Sequence, residues 1–92
     1  MFEVVYRDLV VKHDIPDLAP AWRGKIRDVI EEKLTTSPDF FGRPLRHSLK
    51  GYRKLRVGDY RVVFRIQGNR ILIFAILHRS VVYQEMGSGR RK

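Results

Sequence analysis

At 92 residues with no cysteine, the chain has room for one domain and one modest core, and disulfide or thiolate chemistry is excluded. Nineteen Lys and Arg against ten Asp and Glu give a formal net charge of +9, unevenly placed: residues 1–42 balance at −2 and residues 43–92 at +11. A positive field confined to one half favours a polyanion such as nucleic acid, or a strongly acidic protein.

The opening MFEVVYRD, with acids at Glu3 and Asp8, lacks the pattern of an export signal. The longest apolar run, ILIFAIL at 71–77, is too short to span a bilayer, so a cytoplasmic protein is expected. FEVVYR alternates Phe2, Val4 and Tyr6 against Glu3, Val5 and Arg7, the period of a half-buried strand. Asp8 can cap a helix, and beyond it Val11, Ile15 and Leu18 recur at helical spacing. Pro16 should end or kink that helix at residue 14 or 15. Pro20 suits a first helical turn. From there Trp22, Ile26, Val29, Ile30 and Leu34 build one apolar face, with Arg23, Lys25, Arg27, Asp28, Glu31 and Glu32 on the other.

Thr35, Thr36, Ser37 and Pro38 stop this helix, and Phe40, Phe41, Gly42 and Pro44 continue an irregular connection with Leu45 and Leu49 tucked beneath it. Trp22 and the Phe40-Phe41 pair read as core or loop anchors. Three strand-like runs come next, at 52–57, 60–66 and 70–77. Gly58-Asp59 fits a type II′ turn between the first two, and Gln67-Gly68-Asn69 marks a second hairpin. MGSGRRK is too rich in glycine to read as a helix, so residues 1–86 form one domain and 87–92 a short, basic, flexible tail. The order β-α-α-β-β-β gives an α+β fold, two helices packed on one face of a small, mainly antiparallel sheet.

Strand period sorts the basic residues. Leu55 and Val57 point to the core in one strand, and Tyr60, Val62, Phe64 and Ile66 in the next. Lys54 and Arg56, with Tyr52, and Arg61 and Arg65, with Val63, are left on the opposite, open face. Arg53 falls on the core side and reaches out at the strand's end. Like charges on neighbouring strands cost about 0.2–1 kcal/mol per direct pair, and only Asp59 lies close in sequence to offset them. One reading is that the neutralising charge arrives with a phosphate-bearing ligand. The other is that Arg61 or Arg65 pairs with Glu31 or Glu32 on the helix.

LKGYRKLRVGDYRVVFRI followed by ILIFAILHRSVVY resembles the RelE/ParE superfamily of bacterial toxin–antitoxin toxins, most specifically in LRVGDYR at 55–61 and in His78-Arg79 with Tyr83 four residues on. It looks closer to the RelE branch, whose members cut ribosome-bound messenger RNA, than to the ParE branch, which poisons DNA gyrase. The resemblance implies the RelE-like fold over nearly the whole chain and a cognate antitoxin that holds it inactive. It also implies metal-free attack of a ribose 2′-OH on the adjacent phosphorus, with no cofactor. Residue by residue it makes Arg61 the transition-state arginine, Lys54 a basic group near the nucleophilic oxygen, Arg79 the arginine near the leaving group and Tyr83 the aromatic that stacks on or orients the nucleotide. Arg46, Lys50, Arg56, Arg65 and His78 join them as nucleic-acid contacts. Where some relatives carry a second lysine, two residues before Lys54, this chain has Tyr52, so the general base is left open.

His13, His47 and His78 show no metal-ligand spacing. A two-histidine ribonuclease using His47 and His78 competes with a satisfied His78 at a strand end. No paired carboxylates and no phosphate loop occur in the basic half, so glycosidase and nucleoside-triphosphatase chemistry are unsupported.

Overall fold

A computed structural model describes residues 1–45 and 51–87. The expectations placed on Arg46, His47, Leu49, Lys50 and the tail beyond residue 87 lie outside the described residues. Five strands, β1 (Glu3–Tyr6), β2 (Arg43–Pro44), β3 (Arg53–Val57), β4 (Tyr60–Gln67) and β5 (Arg70–His78), form one sheet in the order β1-β5-β4-β3-β2. β1 runs parallel to β5, and the other pairings are antiparallel. The helical segments are α1 (8–17), α2 (20–34), α3 (Pro38–Phe41) and α4 (Val82–Gly87).

Pro16 does not stop α1, which runs on to Asp17. Proline has no N–H, and its ring would clash with the carbonyl four residues back in a regular α-turn. Here the preceding turn, Val10–Asp14, is wound wider, with the Ile15 N–H donating to the Val10 carbonyl. The extra residue per turn also rotates the face: Val10 and Asp14 turn inward, and Val11, expected in the core, is left 52% exposed. Asp14 uses its burial. β1 ends opposite Ile73, and beyond that point the Asp14 carboxylate accepts the Ile76 backbone N–H at 2.9 Å.

On α2 the apolar period behaves as the sequence predicts, with Ile26, Ile30 and Leu34 buried. Its Arg23 reaches back and donates to the carbonyls of Ile15, Pro16 and Leu18 at 3.1, 2.9 and 3.0 Å. The carbonyls lie at the end of α1, where helical partners run out, Ile15 alone also accepting the Leu18 N–H, so one side chain ties the two helices together.

The main core joins this helical layer to Leu55, Val57, Val62, Phe64, Ile71, Ile73 and Ile76 of the sheet. The two hairpin turns carry Gly58 and Gly68 at φ 60° and 62°, the left-handed values that tight turns require. Pairing of Gln67 with Arg70 tightens the second turn to two residues.

The far side of the sheet holds one feature without a sequence signal and one correction. β5 does not alternate strictly: Val63 pairs with Ala75 but Phe64 with Ile73, so Phe74 is an extra residue in a bulge. Ile73 and Ile76 therefore face the helices, and Phe74 faces away. Nor is the far face open, contrary to expectation: α4, ahead of the glycine-rich tail and not read from the sequence, packs on it. Val82 and Met86, one turn apart, are buried with Leu45, Val63, Phe74 and Ala75 in a second small core, flanked by Tyr52 and Leu77. Among the described residues no helix is long and apolar enough to cross a membrane.

Candidate nucleic-acid interface

β3 and β4 carry the cations in the predicted phase. Leu55 and Val57 are buried under the helices, so Lys54 and Arg56 leave β3 on the other side. In the ladder Arg56 sits directly opposite Arg61, and Lys54 opposite Val63. The arginine pair is the like-charge arrangement that a sheet tolerates at a cost of about 0.2–1 kcal/mol.

α4 supplies the next group. With Val82 and Met86 facing the sheet, Tyr83 is turned outward towards β3. The Lys54 ammonium lies 3.3 Å from the Tyr83 hydroxyl and 5.3 Å from the centre of its ring. The β3–β4 turn gathers two arginines. Arg61 donates from Nη1 to the carbonyls of Gly58 and Tyr60, at 3.0 and 2.9 Å. Arg79, just past β5, donates its backbone N–H to the Asp59 carbonyl at 2.8 Å and holds its Nε 3.7 Å from the Asp59 carboxylate. Partial burial first, then the nearby charges of Arg56 and Arg79, pull the Arg61 guanidinium below its ordinary pKa, with Asp59 opposing them. The cluster is thus short of negative charge at Arg61.

Lys54, Arg56, Arg61, Arg79 and Tyr83 therefore surround one end of the β3–β4 hairpin. Arg65 is not among them. Four residues further along β4, about 13 Å at strand rise, it lies over the Tyr52 ring at 5.1 Å, and Tyr52 packs on Phe74 at 4.9 Å. No ion pair joins Arg61 or Arg65 to Glu31 or Glu32, which are exposed on α2. Arg53 donates to the Gly42 carbonyl at 3.0 Å. His78 pairs across with Tyr60, 5.7 Å between ring centres, on the side where Tyr60 meets Trp22 of α2. Its Nδ1 shares a hydrogen bond with the Ser80 hydroxyl at 2.9 Å. It thus belongs to the aromatic stack on the helical side, away from Lys54 and Tyr83. Among the described residues no three His, Asp or Glu side chains converge as metal ligands.

Lys33 and Arg43 join the site without having been singled out, and Phe41, read from the sequence as a core or loop anchor, lines it with them. A groove of about 480 Å³ is lined by Lys33, Phe41, Arg43, Lys54, Leu55, Arg56 and Arg61. Arg43 arrives because β2 places it opposite Lys54. Its position at the start of the basic half was the available signal. Lys33, at the end of α2, lies 5.1 Å from the centre of the Phe41 ring, and nothing in the acid-balanced half of the sequence marks it.

Residues 4–83 match the family model described as the ParE toxin of type II toxin-antitoxin system, parDE. The chain is 42% identical over 53 residues to Toxin RelE of Mycobacterium tuberculosis, a match that spans 55% of each protein, so about half the length of that relative. Its fold is similar to a chain in the toxin-antitoxin complex RelBE2 from Mycobacterium tuberculosis, with a TM-score of 0.78 and 26% identity over 85% of this chain and 98% of the other. The RelB-RelE antitoxin-toxin complex from Methanococcus jannaschii shares the fold, with a TM-score of 0.67 and 24% identity over 87% and 95% of the respective chains.

Proposed function

Because the chain belongs to the ParE toxin family of type II toxin–antitoxin systems, within the RelE/ParE superfamily, we propose that it is a toxin of the RelE kind: a cytoplasmic, metal-independent endoribonuclease that cuts ribosome-bound mRNA and is silenced by a cognate antitoxin. The observation that carries this reading is the contact of Lys54 with the Tyr83 hydroxyl beside the Arg56–Arg61 pair, two proton-handling groups next to paired cations.

The reaction uses these groups in turn. The 2′-oxygen attacks phosphorus as its proton passes to Lys54 in its neutral amine form, the bond to the 5′-oxygen breaks, and the leaving 5′-oxygen takes a proton from water, so that a 2′,3′-cyclic phosphate and a 5′-OH result. Lys54 and Tyr83 stand where that first proton is handled. Tyr52 is packed between Phe74 and Arg65 and takes no part in this. Charge developing on the phosphorane falls to Arg61 and Arg56. Arg61 must leave the neutral carbonyls of Gly58 and Tyr60 to reach it, an exchange favoured because hydrogen bonds to charged oxygens are roughly twice as strong. Arg79 is held only by an exposed ion pair, worth about 1 kcal/mol or less, and is free to swing to the leaving oxygen.

A second reading, favoured by the ParE name of the matching family model, is a toxin that inhibits DNA gyrase by binding, without cutting RNA. Adding purified chain to a translating extract separates the two. The nuclease reading expects mRNA scission that falls by a factor of about 100 or more in Arg61→Ala and Arg79→Ala with thermal stability unchanged. Intact mRNA together with failed DNA supercoiling would favour the binder.

A further inference from the structure

We propose that the groove along the free edge of β3 is a subsite for single-stranded RNA, in which a base flanking the scissile nucleotide stacks on Phe40 while the backbone phosphate lies between Lys33 and Arg43. The inference deepens the nuclease reading and rests on it for the course of the RNA.

β2 begins at Arg43, opposite Lys54, so among the described residues no strand pairs with this edge of β3 from Leu55 to Val57. The groove opens there and runs from Lys54 and Arg56 round the sheet edge to Lys33 and Arg43. Lys33, Arg43 and Arg56 have no acidic partner among the described residues. The other way off the cluster, over β4 and β5, is occupied by α4. Among the described residues, the continuous cationic route open to a polyanion engaged at Arg61 thus runs past β3.

Phe40 adjoins that route through its ring contact with Phe41, which lines the groove. It is 82% exposed, although apolar rings are ordinarily covered. It is braced by Phe41, edge-on at 5.0 Å and 89°, and Phe41 lines the groove under Lys33. An exposed, braced ring beside unpaired cations is the pairing of stacking platform and electrostatic track by which proteins hold single strands. An acidic peptide would satisfy the cations but leave the ring without a partner of its own shape.

The test uses the full chain and uncleavable 2′-O-methyl oligoribonucleotides of increasing length, with affinity read by fluorescence anisotropy. Affinity should climb with length, and Phe40→Ala should remove most of the gain from the added nucleotides, about tenfold at the longest. Phe40→Tyr should restore it, and Lys33→Ala and Arg43→Ala should each lower the salt slope by about 0.7. Equal weakening at every length marks a merely structural role and overturns the proposal. So does unchanged RNA binding by Phe40→Ala, including the case in which the same variant loosens only a protein partner. Because the oligonucleotides are not cut, failure of the nuclease reading is seen separately. A length-dependent Phe40 effect in a chain that cuts no mRNA would keep the subsite and discard the enzyme.

Discussion

Arg61 shows how much a single position can carry. Its strand phase was readable because Arg61 and Arg65 alternate with Tyr60, Val62, Phe64 and Ile66, with only Val63 breaking the polar side, but its resting posture was not. Nothing in the sequence says that its guanidinium folds back onto the carbonyls of Gly58 and Tyr60. Tyr6 offers a different test at this scale. Its buried hydroxyl has no hydrogen-bond partner among the described residues, and burial first, with Glu31 adding and Arg27 opposing, raises its pKa above the ordinary value of 10.0. The unfolded chain therefore loses this proton first as pH rises. The stability that Tyr6 contributes is complete below the unfolded pKa and is lost as pH climbs through the folded one. Tyr6→Phe should be neutral or stabilising at pH 7, since it removes an unsatisfied polar atom. Its melting temperature should also fall less steeply than the wild type's above pH 10. Thermal melts of both proteins across that range check the sign.

Among the elements, those with a clear period were legible and those without were not. α2 and the two hairpins could be read from the spacing of Ile26, Ile30 and Leu34 and from Gly58 and Gly68. ILIFAIL is apolar throughout, so the bulge at Phe74 leaves no mark on it, and with the bulge went the faces of Phe74 and its neighbours. α4 was missed because only Val82 and Met86, side by side on one short face, anchor it next to a glycine-rich tail. Yet α4 brings Tyr83 to Lys54. Met86→Ala removes a side chain that is 1% exposed and should weaken the docking of α4 by about 2–5 kcal/mol. Hydrogen exchange should then show α4 amides opening while β3, β4 and β5 stay protected, with cleavage reduced about tenfold or more through loss of Tyr83. Uniform loss of protection would instead make α4 part of the cooperative core.

For the whole molecule, the charge split between residues 1–42 and 43–92 becomes a spatial one: the helices carry the acids, and the free end of the β3–β4 hairpin gathers Lys54, Arg56, Arg61 and Arg79. Such a field should draw an acidic segment of the cognate antitoxin as readily as RNA. Arg56→Glu with Arg61→Glu is expected to slow antitoxin association about tenfold and flatten its salt dependence, with a smaller effect on dissociation. Stopped-flow rates across a salt series measure both. The central claim is that this cationic cluster breaks RNA by 2′-OH attack, and the chemistry of the new ends reports on it most directly. Transcripts recovered from a translating extract treated with the purified chain should carry new 2′,3′-cyclic phosphate and 5′-OH ends, absent with Arg61→Ala. Intact transcripts, or new ends bearing 5′-phosphate, would contradict it.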